Sequence, residues 1–231
     1  MAKKQLVVFT GAGISAESGI KTFRDSGGLW ENYRIEDVAT MDAWTKNKSL
    51  VLDFYNQRRK QVLSAKPNAA HKFIAELQTK FNVKVITQNV DDLHERAGSK
   101  NVLHLHGELL KARSTKDASL IYSLNKTDIL VGELCEKGSQ LRPHIVWFGE
   151  DVPNMETANY LAAEADLFIV IGTSLNVYPA AGIIDFVKPE TPKWLLDPGE
   201  FNFSYLKKIK HIKQTAVKGV EKLKEDLYTY L

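Results

Sequence analysis

An apolar strand that runs directly into a glycine turn opens the chain, in Leu6-Val7-Val8-Phe9-Thr10-Gly11-Ala12-Gly13-Ile14-Ser15-Ala16-Glu17-Ser18-Gly19. Glycine lets the backbone turn sharply and approach a ligand, because no Cβ stands in the way. Amides that follow a strand in such a turn can cradle a diphosphate. The spacing departs from the usual G-x-G-x-x-G dinucleotide fingerprint. Gly11 and Gly13 supply the first two glycines, but the third position is Ala16, an exchange the fingerprint permits. No G-K-[ST] follows, so this is not a P-loop. Taken alone, such a turn is as often a plain turn as a cofactor site.

A chain of 231 residues holds one domain, or one domain with a small insertion. Hydrophobic residues at 44% and charged residues at 26% fit a soluble globular protein. The net charge of +3 is too small to imply nucleic-acid binding. Lys207-Lys208-Ile209-Lys210 reads as a solvated face. The one cysteine, Cys135, excludes an intramolecular disulfide and argues for a reducing compartment. No apolar run reaches membrane-spanning length, so no membrane partner is expected. Met1-Ala2-Lys3-Lys4 leads straight into a strand and leaves no room for a signal peptide, which sets the expected location as cytoplasmic.

Further strand-like runs fall at Val83–Ile86, Ile145–Phe148, Leu167–Ile171 and Trp194–Leu196. Helical spacing lies between several of them. Pro67-Asn68 reads as a helix start, with Ala70, Phe73, Ile74 and Leu77 on one face. Pro153-Asn154 starts another, with Tyr160, Leu161 and Ala165 placed to bury. Val217, Val220, Leu223 and Leu227 mark a closing amphipathic helix. This alternation predicts an α/β fold with a parallel sheet, its ligand at the carboxyl ends of the strands. Two segments break the rhythm. Residues 31–66 are helical and carry Tyr33 and Trp44; residues 108–142 are polar and irregular. Both read as insertions that together form a small second lobe.

Three clusters carry chemistry. Thr87-Gln88-Asn89-Val90-Asp91-Asp92 follows a buried strand, where a ligand-reading loop belongs; the alternative is a helix cap by Asn89 or Asp91. Val102-Leu103-His104-Leu105-His106-Gly107 puts two histidines on one face of a strand. No third metal ligand lies at recognisable spacing. A histidine at a strand end, followed by glycine, is better placed as a general base, because its ordinary pKa lies near neutrality. Gly172-Thr173-Ser174-Leu175-Asn176-Val177-Tyr178 is a second small-residue turn after an apolar strand. Two such turns in one parallel sheet can line one crevice.

Gly11-Ala12-Gly13-Ile14-Ser15, Phe23-Arg24, Gln88-Asn89-Val90-Asp91, His106-Gly107, Phe148-Gly149-Glu150 and Gly172-Thr173-Ser174 together resemble the ordered motif series of the sirtuins, the NAD-dependent protein lysine deacylases. The resemblance spans nearly the whole chain. It implies a single catalytic domain over 1–231, with a Rossmann-like sheet and a small lobe made by the two insertions. It implies NAD as a consumed cosubstrate, with nicotinamide, O-acyl-ADP-ribose and free lysine as products. It assigns Gly11, Ala12, Gly13, Ile14 and Ser15 to the NAD diphosphate and ribose, and Phe23 and Arg24 to a loop over the cofactor. It assigns Gln88, Asn89 and Asp91 to the ribose and nicotinamide pocket. Gly172, Thr173 and Ser174 fall to the adenosine side, with a loop contact near Ala216. His106 becomes the general base that helps deprotonate a ribose hydroxyl. An acyl-lysine protein or peptide is implied between Ile145–Glu150 (Val146, Phe148, Gly149 and Glu150) and Leu175–Tyr178 (Asn176 and Val177), paired as an added strand.

One departure and one further likeness sharpen the resemblance. Most sirtuins hold a structural zinc with four cysteines. Here those positions fall at Ser114 and Asp117 and near Cys135 and Gly138. One cysteine cannot make a tetrahedral thiolate site, so no zinc is expected. Contacts among Leu120, Ile121, Leu130 and Val131 are expected to hold the lobe instead. The second is Tyr55-Asn56-Gln57-Arg58, which resembles the Tyr-x-x-Arg pair of sirtuins that prefer acidic acyl groups. Residues three apart share a helix face. A guanidinium can hold a succinyl or malonyl carboxylate bidentately, and a tyrosine hydroxyl adds one hydrogen bond. The expected activity is desuccinylation and demalonylation with some deacetylation. The competing readings are an ADP-ribosyltransferase or NAD hydrolase on the same fold, and a non-catalytic NAD-sensing module.

Overall fold

The computed structural model describes residues 3–21, 33–201 and 208–231. β1 (Gln5–Thr10) passes through the glycine turn into the short α1 (Gly13–Ala16). The first insertion supplies α2 (Ile35–Val38), α3 (Met41–Lys46) and the long α4 (Lys48–Ser64). Next come α5 (Ala69–Leu77), β2 (Asn82–Thr87), α6 (Leu93–Arg96) and β3 (Val102–His104). The second insertion region holds β4 (Gly107–Ser114), β5 (Ile121–Ser123) and β6 (Leu141–Ile145). α7 (Met155–Ala163), β7 (Leu167–Ile171), a 3-10 helix over Ala180–Phe186, β8 (Lys193–Leu196), β9 (Ile209–Ile212) and α8 (Ala216–Tyr228) complete the order.

Six parallel strands form the main sheet in the order β3-β2-β1-β7-β8-β9. The chain builds outward from β1 to β3, then returns to β7 on the other side of β1. Strand order therefore reverses between β1 and β7, the point at which such sheets open a crevice at their carboxyl ends. Thr10 is level with Ile171 there, and the next residues are Gly11 and Gly172. The fold is thus α/β and Rossmann-like.

Alternation along the strands divides the core into two layers. Leu6, Val8, Val83, Val85, Ile169 and Ile171 face α5 and α8, packing on Ile74, Leu77, Val220 and Leu223. Val7, Phe9, Ile86, Phe168 and Val170 face the other way, onto Ala158, Ala162, Ile183 and Ile184. Burial on both faces is why these strands read as continuous apolar runs. α5 starts where expected. Asn68 accepts from the amides of Ala70 and His71, and the His71 ring accepts from the Asn68 amide, a capping box with histidine in the usual Glu position. In α7 the expectation for Tyr160 fails. It is 66% exposed, while the small Ala158 and Ala162 are buried and bring the helix close to the sheet.

The second core belongs to the insertions. Trp44, Val51, Phe54 and Tyr55 from the first pack against Leu109, Ala112, Ile145 and Trp147 from around the second. Residues 108–142 are not irregular: they contain most of an antiparallel three-stranded sheet of order β5-β4-β6. The strand expected at Ile145–Phe148 lies earlier, at Leu141–Ile145, and joins this sheet rather than the parallel one. A turn ends it, with the Glu150 carboxylate accepting from the Trp147 amide at 2.8 Å. The expected apolar clasp is also absent, since Leu130 and Val131 are 59% and 60% exposed and Ile121 is exposed too. Ile209 and Lys210, read as part of a solvated face, lie in the edge strand β9, where an exposed lysine guards an open edge.

Candidate functional site

The two glycine turns interlock. Gly13 N donates to Gly172 O at 2.8 Å, Gly11 N to Ile171 O at 3.0 Å, and Gly172 N to Leu196 O at 3.0 Å. A Cβ on Gly13 would lie 2.7 Å from Gly172 Cα, and one on Gly172 would collide with the Ile14 amide nitrogen. Gly172 also has a φ of +64°, where side chains are strained. These glycines are thus demanded by backbone-to-backbone packing at the switch point itself.

A buried polar layer backs the turns. Asn89 Nδ2 donates to Gly11 O at 3.1 Å and to Ser15 Oγ at 3.2 Å. Ser15 Oγ donates to Asp91 Oδ2 at 3.0 Å, and Asp91 Oδ1 accepts from Leu93 N at 3.1 Å. Burial raises the Asp91 pKa, and those two donors oppose the rise. Gln88 Nε2 donates to Thr173 Oγ1 at 3.0 Å, so the loop after β2 bonds to both turns, through Asn89 to the first and through Gln88 to the second. Of the residues the sequence singled out, Gly11, Ser15, Gln88, Asn89, Asp91, Gly172 and Thr173 therefore meet at one place. Ala12, Gly13 and Ile14 belong to the same turn, and Ser174 follows Thr173 half-buried.

Sequence reasoning missed the layer beneath. Thr10 Oγ1 donates to Thr87 Oγ1 at 2.8 Å and lies 3.0 Å from His94 Nε2. The rings of His71 and His94 meet edge to face at 5.0 Å, and His71 Nε2 lies 3.5 Å from Ser15 Oγ. Both histidines are fully buried. Burial lowers the His71 pKa to about 4 and the His94 pKa well below its ordinary value, so both are neutral near pH 7. The available signal was the Asn68-x-x-His71 spacing at a helix start.

The two histidines of the Val102–Gly107 stretch have different partners. His106 Nδ1 lies 3.1 Å from Gln88 O. A carbonyl only accepts, so Nδ1 carries the proton and Nε2 is left as a base. Burial lowers the His106 pKa, with the Gln88 carbonyl opposing, and the ring is neutral near pH 7. His104 instead lies between Asn89 O at 3.0 Å and Glu95 Oε1 at 2.8 Å. Burial works against its charge, but Glu95 and the Asn89 carbonyl outweigh it and hold the pKa above the ordinary value. Both His104 nitrogens are engaged, so the pair does not form a metal site.

Tyr55 and Arg58 are both buried on α4. Trp147 Nε1 donates to the Tyr55 hydroxyl at 3.0 Å, and the Arg58 guanidinium lies 5.7 Å from the Phe54 ring centroid. Burial raises the Tyr55 pKa well above 10, so the phenol keeps its proton. The neighbouring Arg59 is a clamp: it donates to Leu109 O, Asn56 Oδ1 and Thr127 O.

In the segment expected to meet a peptide, Val146 N donates to His106 O at 3.0 Å and Phe148 N to Ala39 O at 3.0 Å. Phe148 and Gly149 are exposed, as are Asn176 and Val177 across the second turn. Glu150 is instead held by Arg142 at 2.7 Å and Arg113 at 3.0 Å, which makes its carboxylate the anchor of this turn. Ala216 is the buried first residue of α8. The Glu17 carboxylate accepts from Val217 N at 2.8 Å and Thr215 Oγ1 at 3.1 Å beside it. Phe23 and Arg24 lie outside the described residues.

The four positions that would hold zinc do not fit it. Ser114 Oγ and Ser139 Oγ are 2.7 Å apart, and Cys135 Sγ lies 3.4 and 3.2 Å from them. Those hydroxyls pull the Cys135 thiol down to about 7. Asp117 is paired with Lys137 at 2.7 Å, so an ammonium stands among these side chains. One hydroxyl, one carboxylate held by an ammonium, one thiol and a glycine do not form a tetrahedral zinc shell. Among the described residues, no group of three or more His, Cys, Asp or Glu is placed to hold a metal ion.

Residues 11–179 match the Sir2 family. An NAD-dependent protein deacylase of Bacteroides thetaiotaomicron is 50% identical over 227 residues, covering 96% of this chain and 97% of that protein. One of Helicobacter pylori is 52% identical over 220 residues, covering 95% and 96%. The structure of a Sir2 homologue in complex with NAD superposes with a TM-score of 0.87 at 39% identity, covering 99% of this chain and 91% of that one. A mutant Sir2 homologue in complex with ADP-ribose gives 0.89 at 39% identity, covering 99% and 93%. With glycine turns, polar layer and histidine set as described, and with this likeness running along its whole length, the chain belongs to the Sir2 family.

Proposed function

We propose that this chain is an NAD-dependent protein deacylase that favours short acidic acyl groups, succinyl and malonyl, and retains some activity on acetyl-lysine. The deacylase activity and the use of NAD come with the family. The acyl preference rests on one observation, the burial of Tyr55 and Arg58 together on one face of α4. A buried guanidinium beside a protonated phenol suits a carboxylate better than a methyl group.

Gly11 to Ser15, Phe23, Arg24, Gln88, Asn89, Asp91, Gly172 to Ser174 and Ala216 would hold the cofactor. NAD supplies an anomeric carbon with nicotinamide as its leaving group. The polar layer from Asn89 through Ser15 to Asp91 supports this role, because each side chain is held in place by a protein partner. His106, neutral with Nε2 unprotonated, accepts a proton from a hydroxyl brought to it. Val146, Phe148, Gly149, Asn176 and Val177 would receive the acylated peptide, with Glu150 anchoring the turn that carries the first three. Nicotinamide, O-acyl-ADP-ribose and free lysine are the expected products. The single catalytic domain spans 1–231, its small lobe drawn from 31–66 and 108–142. The single cysteine supports a reducing, cytoplasmic setting.

The test is NAD-dependent turnover of matched acetyl-, succinyl- and malonyl-lysine peptides, read by mass spectrometry, with wild type and Arg58→Met. The substitution is expected to lower kcat/KM for the succinyl peptide far more than for the acetyl peptide. Equal losses on both would reject the acyl preference and leave the deacylase activity standing.

A further inference from the structure

Building on the reading of Tyr55 and Arg58 as the acidic-acyl pair, we propose that Trp147 is a positioning residue for acyl specificity, acting through the Tyr55 hydroxyl. The Trp147 indole N–H meets the Tyr55 oxygen at 3.0 Å, with both side chains buried. An indole nitrogen only donates. The phenol oxygen is therefore the acceptor, and its own hydrogen is turned away from Trp147. Burial keeps that hydrogen in place at working pH. Arg58 follows three residues later on the same helix, is buried, and like all guanidinium groups offers donors alone. A phenol hydrogen and a guanidinium together suit an acceptor with negative charge, which a succinyl or malonyl group carries and an acetyl group lacks.

Trp147 is itself fixed from two directions. The Arg142 guanidinium stacks on its ring, 3.3 Å from the centroid. Arg142 also grips Glu150 bidentately, at 2.7 and 2.9 Å. Glu150 in turn accepts from the Trp147 backbone amide at 2.8 Å. One guanidinium–carboxylate pair thus holds both the ring face and the backbone of Trp147. Arg113 reinforces it by donating to both Glu150 oxygens, at 3.0 and 3.2 Å. The rings of Trp44 and Tyr55 pack at 5.6 and 6.3 Å. The arrangement ties the turn that follows β6 to the acyl-facing helix α4. A rotation of the indole would redirect the Tyr55 hydrogen.

The experiment is a double-mutant cycle of Trp147→Phe and Tyr55→Phe, with kcat and KM measured on succinyl- and acetyl-lysine peptides. Trp147→Phe keeps an apolar ring and deletes the donor. The expected result is a fall of about fivefold in the succinyl-to-acetyl ratio of kcat/KM, the size of one neutral hydrogen bond. It is expected through KM for the succinyl peptide, and to vanish when Tyr55 is already phenylalanine. An unchanged ratio, an equal loss on both peptides, or a full effect in the Tyr55→Phe background would overturn the proposal. Benzothienylalanine at 147, which replaces the N–H with sulfur at nearly constant shape, gives the same readout if the phenylalanine variant does not fold. Arg58→Met in parallel separates the two claims. If it leaves the ratio unchanged, the acidic-acyl reading falls and this one with it. If it collapses the ratio and the loss of the indole donor does not, only the role of Trp147 falls.

Discussion

His106 Nδ1 is tied to the Gln88 carbonyl at 3.1 Å, so the same loop that bridges the glycine turns also sets which nitrogen of the histidine is free to accept a proton. Tautomer and position are fixed by one bond. Burial lowers the His106 pKa below its ordinary 6.5, so the neutral form that a general base needs persists somewhat into acid. His106→Asn is therefore expected to lower kcat for deacylation by about a hundredfold or more. In wild type, the acid limb of kcat/KM is expected to have its midpoint below pH 6.5. Near-normal turnover of an acylated peptide by the variant would refute the assignment.

The buried pair beneath the site sets a second pH dependence, this one in stability. In the folded chain His71 titrates at about 4, and His94 also titrates far below 6.5. In the unfolded chain both titrate near 6.5. Above pH 6.5 neither state binds the extra protons, and nothing is lost. As pH falls below 6.5, the unfolded chain takes up protons that the folded chain refuses. Stability drops by about 1.4 kcal/mol per pH unit for each histidine, until the folded pKa is reached. Urea unfolding between pH 7 and 4.5 is expected to show this slope. His71→Gln is expected to be less stable at pH 7, because the capping bond goes, yet to show a shallower slope. An unchanged slope in that variant would refute the role of His71.

How far the sequence was legible follows from where each signal sits. The glycine turns were legible because strand, turn and spacing are local, and the switch point lies where both turns end. The position of His106 beside the Gln88 loop was legible from its place between a strand and Gly107. The histidine layer was not: His71 lies on the apolar face of α5, and only its contact with His94, from a different element, shows the pairing. The small sheet was hidden because β4 is half-buried, with Lys111 and Arg113 on its outer side, and carries a register shift between Glu108 and Ala112. The edge strand β9 was hidden by the lysines that protect it. Conversely, Leu130 and Val131 look like core residues in sequence but are exposed: Ile129 takes the core position beside them, and a polar cluster of Ser114, Cys135 and Ser139 replaces the zinc ligands.

That polar replacement carries the last prediction. Where four thiolates would close on a metal, Ser114, Cys135 and Ser139 form a hydrogen-bonded cluster, and Asp117 pairs with Lys137. The Asp117 carboxylate is already engaged by the Lys137 ammonium, and serine hydroxyls are poor zinc ligands beside thiolate. The lobe is then expected to hold without metal, and excess chelator is expected to leave both the melting temperature and the deacylase rate unchanged. Elemental analysis of the purified protein is expected to find zinc far below one atom per chain. Stoichiometric zinc, or a chelator-induced loss of several degrees, would refute this. The ion pair itself is largely solvent-facing and contributes little, so Lys137→Ala is expected to shift stability by less than about 1 kcal/mol. Ser139→Ala removes a buried partner of both Ser114 and Cys135 and is expected to cost about 1 kcal/mol or more. Measured together by urea denaturation, the two variants distinguish a lobe held by its buried hydroxyl cluster from one held by its surface charges.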